Sequence, residues 1–286
     1  MMTTRVQHNG EQPLSGFGEV PKGLLLGRCG RAPGNRAFTL LELLVVFVII
    51  GILASITLPA LKGIGQANLT AAGNRQILDD LFLARLRAIN ERTTVYMVFV
   101  PPTILRKIEL ERSNPLELKS LTNLLGSQFT GYALLAQRTV GDQPGRSTPR
   151  YLTPWKRLPD GMVFAPYKYD PRGQTNANDY LRTFATRPLQ FPNSDSAVFE
   201  LPYIAFNSLG QLESPRDELI PIAKGRISLP QNESGGYLEV APDIQLIPPV
   251  IPGAPPYTQT NTYQFVRISK VTGRAQIDPI TTPDLR

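Results

Sequence analysis

Residues able to act as nucleophile, general base or soft metal ligand are scarce. Cysteine and histidine occur once each, as Cys29 and His8, both in the first 30 residues. Removal of that segment would leave a chain with neither. Cys–His catalysis, disulfides and His/Cys sites for zinc, copper or iron would then be excluded. Asp, Glu, Lys, Arg, Ser, Thr and Tyr remain for chemistry. There is no Gly-x-Ser-x-Gly, P-loop, dinucleotide fingerprint or metal-ligand spacing. The paired carboxylates Glu109 and Glu111 sit in ordinary polar sequence. No enzymatic activity, cofactor or metal site is expected.

One carboxylate stands out by its setting. Glu42 lies near the start of the run Phe38–Leu61, in which the 19 residues Leu43–Leu61 carry no charge. A bilayer core ~30 Å thick is crossed by about 20 such residues as a helix. A soluble core helix is rarely apolar on every face for so long. Arg28, Arg31 and Arg36 precede the run, which places the N-terminus on the cytoplasmic side and the large C-terminal part outside. A carboxylate at mid-membrane costs at least ~2.5 kcal/mol and is read first as functional. The alternative places Glu42 at the interface, reaching water.

Asn35-Arg36-Ala37-Phe38-Thr39-Leu40-Leu41-Glu42, followed by the apolar run and Pro59, resembles the class III signal of type IV pilins and type II secretion pseudopilins. The resemblance covers Arg36 to about Gly65. It implies cleavage by a prepilin peptidase between Ala37 and Phe38, where the family usually has Gly before the cut. It implies N-methylation of the new Phe38 amine, a need for Glu42 in fibre assembly, and a helix kink at Pro59. The physics is consistent with those roles. Glu42 is one helical turn from Phe38. In a staggered bundle it can meet the Phe38 amine of a neighbour, pairing two charges that are each costly in an apolar setting. Pro59 removes a backbone donor, and Gly63 and Gly65 soften the helix further.

Beyond the run, Lys62–Glu91 reads as an amphipathic stem helix. Ile77, Leu78, Leu81, Ala84 and Ala88 form its apolar stripe, and Arg75, Asp79, Asp80, Arg85 and Arg87 its wet face. Thr93–Val100 is β-branched and aromatic, ends at Pro101-Pro102, and predicts a strand buried on both faces. Further strands are predicted at 132–137, 162–165, 203–206, 219–222, 226–229 and 263–271, with a hairpin turn at 271–275 and a short helix at 116–125. The fold class is α+β: a long N-terminal helix, comprising membrane span and amphipathic stem, packed on a C-terminal antiparallel β-sheet domain, as in pilins. Four segments follow: a cleaved basic leader (1–37), a transmembrane and assembly helix (38–61), the stem (62–91) and an exterior β-rich domain (92–286). The order of Ala84-Arg85-Leu-Arg-Ala88, Trp155…Leu158-Pro159-Asp-Gly161, Ile204-Ala-Phe206-Asn-Ser-Leu-Gly210 and Thr272-Gly273-Arg274 is most similar to the H-type minor pseudopilins. Against that group the chain carries extra residues at 103–128, 139–150 and 167–192.

Three downstream segments invite a binding role. Ile247–Tyr257 has five prolines in eleven residues and is read as a stiff surface loop over a polyproline ligand. Asp170–Asp179 gathers oxygen ligands of the kind calcium takes, but its spacing matches no calcium loop, so a turn-rich loop is expected. Arg138, Arg146, Arg150, Lys156 and Arg157 cluster, yet of the net charge of +7 the first 37 residues carry +3 and the other 249 only +4. That is weak support for phosphate contacts, and nucleic acid is not expected as a partner. Trp155 is expected in the core.

The resemblance implies a prepilin-like minor pseudopilin of a type II secretion system, processed and assembled into a periplasmic pseudopilus. Its partners would be prepilin peptidase, other pilin or pseudopilin subunits, an inner-membrane assembly platform and membrane lipid. It would be single-pass in the inner membrane, N-terminus cytoplasmic and C-terminal domain periplasmic. The alternatives are a minor type IV pilin whose exterior domain binds DNA or substrate, and a plain membrane-anchored exterior domain.

Overall fold

The computed structural model describes residues 39–138, 141–142, 148–170, 179–233, 238, 240–254, 258–259 and 262–278, apart from the side chains of 56–69 and 179. The chain divides into two compact units, residues 1–55 and 56–286, and the first helix, α1 (Leu40–Glu91), is shared between them. In the first unit, the described side chains of α1 from Leu40 to Leu53 are exposed on every side of the helix.

The second unit is built on two antiparallel sheets. One has the order β3 (Arg150–Tyr151), β2 (Gly131–Ala136), β1 (Val95–Phe99), β7 (Val198–Phe206), β6 (Ala185–Gln190), with β4 (Lys156–Arg157) also on β2. The other has the order β11 (Ala275–Asp278), β10 (Tyr263–Ile268), β8 (Glu218–Ser228), β5 (Met162–Phe164), with β9 (Asp243–Leu246) on the far end of β8. The period-two alternation of strands assigns the faces. Val95, Met97 and Phe99 join Ile77, Leu81, Ala84 and Ala88 of α1 in one core, to which the second sheet adds Ile220, Ile222, Val266 and Ile268. Tyr96 and Val98 point the other way, under α2 (Ile104–Leu110) and α3 (Pro115–Leu125). This is why β1 is buried on both faces, as its composition predicts.

The extra residues 103–128 thus fold as two helices that cover the outer face of the first sheet. α3 starts where Asn114 caps it, its side chain accepting from the Glu117 N–H with Pro115 in the first turn. α1 ends in a left-handed residue, Arg92 at φ 49°. The Thr93 N–H bonds the Ala88 carbonyl and the Arg92 N–H the Ile89 carbonyl, a Schellman end built without glycine.

The strand reading needs correction in three places. Positions 219–222 and 226–229 belong to one strand, β8, and 203–206 is only the end of the nine-residue β7. β3, β4, β6, β9 and β11 lie outside the predicted strands, and the strand predicted at 263–271 ends at Ile268. β6 contains Pro188, which a strand accepts at a sheet edge. Gly225, which interrupts the apolar pattern of β8, lies where a Cβ would meet the Gln245 carbonyl at 2.9 Å. The hairpin turn at 271–275 joins β10 to β11, with Gly273 at φ 62°.

Candidate functional site

The first turn of α1 carries the residues singled out by the sequence. Thr39 caps it: its hydroxyl oxygen accepts from the Glu42 N–H at 3.2 Å, and its carbonyl accepts from Leu43 N–H. Thr39-x-x-Glu42 has the spacing of a capping box, a signal present in the sequence but missed. Glu42 is exposed, and its charge in the first turn is favoured by the helix dipole. Around it Leu40 is 89% exposed, Leu41 74% and Phe47 64%. Ala37 and Phe38 lie outside the described residues, as does the side chain of Pro59. α1 passes position 59 as helix.

In the second unit, two polar fastenings hold α1 to the sheets. Asp80 and Arg85, expected on the wet face, are corrected here. Asp80 is 6% exposed. Tyr132 Oη donates to its Oδ2 at 2.7 Å, Lys156 Nζ donates to its Oδ1 at 2.6 Å, and Gln76 Nε2 donates to Tyr132 Oη at 2.7 Å. Burial, with the Asp80 bond, pushes the Tyr132 hydroxyl well above its ordinary range. The spacing could have revealed this residue, since Asp80 follows Ile77 by three and precedes Ala84 by four, inside the apolar stripe. Arg85 is half-buried, and its Nε donates to the Gly210 carbonyl at 3.2 Å and the Thr272 carbonyl at 2.8 Å. Gly210 and Gly273 approach so closely that a Cβ on Gly273 would overlap the Gly210 carbonyl.

The other candidate segments separate. Of the basic cluster, Lys156 is paired with Asp80, and Arg157 donates to Ser127 Oγ and the Asn123 carbonyl. Arg138 and Arg150 are exposed, and Arg146 lies outside the described residues. Most of the oxygen-rich segment, 171–178, also lies outside them. Among the described residues, no group of three or more His, Cys, Asp or Glu is placed to hold a metal. Trp155 is half-buried, edge-on to Phe191, with Nε1–H donating to the Pro192 carbonyl at 2.9 Å.

Residues 33–58 match the family model of the prokaryotic N-terminal methylation motif. The N-terminal segment is a pilin-type signal. A signal of this type marks a membrane-anchored precursor cut by a prepilin peptidase and assembled with other pilin-like subunits. Comparison with curated proteins and with solved structures finds no match. Among the described residues no helix is long and apolar enough to cross a membrane, and the expected span over 38–61 extends beyond the described side chains at both ends.

Proposed function

We propose that this chain is a structural subunit of a type II secretion pseudopilus, most like the H-type minor pseudopilins. The observation that carries the reading is the methylation motif at 33–58, within which α1 from Leu40 to Leu53 is exposed on all sides and apolar but for one carboxylate in its first turn. An apolar surface of this kind needs lipid or other apolar helices to cover it. In this reading the peptidase cuts between Ala37 and Phe38, residues 38–61 span the inner membrane, and residues 92–286 face the periplasm. Exchange of lipid for a bundle of like helices carries little hydrophobic cost, because both surroundings are apolar. Glu42 of one subunit then meets the methylated Phe38 amine of its neighbour, which sets register more than stability. The subunit is a substrate of the peptidase and has no reaction of its own.

The H-type likeness draws support from the Arg85 clamp. Three short pieces of sequence far apart in the chain, around Arg85, Gly210 and Gly273, meet at two hydrogen bonds.

The test is Glu42→Val in the native host. Membrane levels of the variant should match wild type, while incorporation into sheared or cross-linked fibres should fall at least ~10-fold, as expected when one partner of a buried charge pair is removed. Incorporation equal to wild type would remove Glu42 from assembly.

A further inference from the structure

Thr39 sets where α1 begins. Residue 39 itself is not helical, α1 starts at Leu40, and the Leu43 N–H donates to the Thr39 carbonyl as the helix opens. The Thr39 hydroxyl oxygen accepts from the Glu42 N–H at 3.2 Å, which satisfies one of the donors that a first turn leaves over. In the sequence this cap directly follows Phe38, so the bond between Ala37 and Phe38 falls ahead of the capped start.

The sequence holds a rival cap one helical turn upstream. Asn35 is of the type preferred at that position, and Pro33-Gly34 before it disfavour any longer helix. Between the two caps stand Arg36, Ala37 and Phe38, and Arg and Ala are among the best helix formers. Propensity therefore does not oppose a start at Asn35, and the choice between the two starts falls to the caps. A helix begun at Asn35 would put Ala37 and Phe38 at its second and third positions. The Asn35 side chain would then take the Phe38 N–H, and the Ala37 carbonyl would accept from Leu41 N–H, four residues on. Both polar groups of that amide would be engaged, and the first turn would crowd its carbonyl carbon against an attacking water. A start at Leu40 makes no such demand on them.

We propose that Thr39 is a positioning residue for processing: its cap keeps the Ala37–Phe38 amide out of the helix, in backbone that a prepilin peptidase can cut. The proposal rests on the processing reading above, and the methylation motif matched at 33–58 spans both caps. The step is a hydrolysis. Water adds to the Ala37 carbonyl carbon, the C–N bond breaks, Ala37 keeps a carboxylate, and the Phe38 amine takes the proton. Thr39 touches none of these atoms in the proposal. It acts by choosing the helix start. A chain held in the longer helix is substrate in a form that cannot be cut, so loss of the cap lowers the competent fraction and shows as weaker apparent binding.

The test uses the full precursor in phospholipid vesicles with the prepilin peptidase of its native host, and follows the mass of the chain with time. Thr39→Ala should raise KM about fivefold, the shift in equilibrium that loss of one cap sets, and leave kcat close to wild type. Thr39→Ser keeps a capping hydroxyl and should restore the wild-type KM. Asn35→Ala weakens the rival start, so in that background Thr39→Ala should lose most of its effect. A Thr39 hydroxyl that touched the peptidase directly would cost as much in both backgrounds, and that result would overturn the proposal. So would equal KM values for wild type and Thr39→Ala. A wild-type precursor left whole, beside a second prepilin that the same peptidase cuts, would overturn the processing reading itself and the role of Thr39 with it.

Discussion

Asp80 is the polar residue on which the docking of α1 most depends. Its carboxylate satisfies the Tyr132 hydroxyl and the Lys156 ammonium together, so truncation strands two partners. Asp80→Ala should cost about 2 kcal/mol, the order expected for leaving buried donors unpaired, and Asp79→Ala, exposed one position away, should cost almost nothing. Denaturant melts of the two variants check this. Tyrosines give the molecule an alkaline limit. Burial pushes the Tyr96 hydroxyl from 10.0 to about 12, and burial raises Tyr132, Tyr151, Tyr167 and Tyr169 as well. A folded pKa above the unfolded one means stability is complete below pH 10 and falls as pH rises through 12. The share of tyrosinate absorbance that belongs to these five residues should therefore appear together with loss of the fold, in one transition. Ionisation of all ten tyrosines while the fold persists would contradict the assignment of these hydroxyls to the interior. Glu42 was legible because a charge in an apolar run has few structural explanations. Asp80 was not, because its neighbours Asp79 and Arg75 read as solvated face.

The elements were legible where burial is one-sided or complete, and illegible at edges. β1 announces itself by an unbroken β-branched and aromatic run, and α3 by its Asn-Pro start. β6 and β9 lack both signals. They are outer strands whose alternation is broken by Arg187-Pro188 or confined to four residues, and only their partners β7 and β8 hold them extended. The end of α1 carries a prediction of its own. Arg92 occupies a left-handed conformation that glycine adopts freely and other L-residues adopt at a cost of roughly 1–2 kcal/mol. Its side chain is exposed. Arg92→Gly should raise stability by a few tenths to 1 kcal/mol after glycine's larger unfolded entropy is counted, read as a higher melting temperature. A lower one would mean that the Arg92 side chain contributes more than its backbone costs.

Among the described residues, the second unit carries three cores, drawn from residues 77–268 together with partly buried Ala275. The N-terminal stretch of α1 contributes to none of them, so its fate is decided by what covers it. The sequence made the pilin-type signal readable because that signal is local: a leader, a small residue, Phe38, Glu42 and an apolar run in fixed order. The organisation of 92–286 was less readable, since Pro166 and Tyr167 come to lie beside Ile244 and Leu246, about 80 residues away, only in the fold. Processing is the claim on which the rest turns. The direct measurement is the intact mass of the protein extracted from the membranes of its native host. The account predicts a chain that begins at Phe38 and carries one added methyl group. A chain that still holds residues 1–37, in cells whose prepilin peptidase is active, would contradict it.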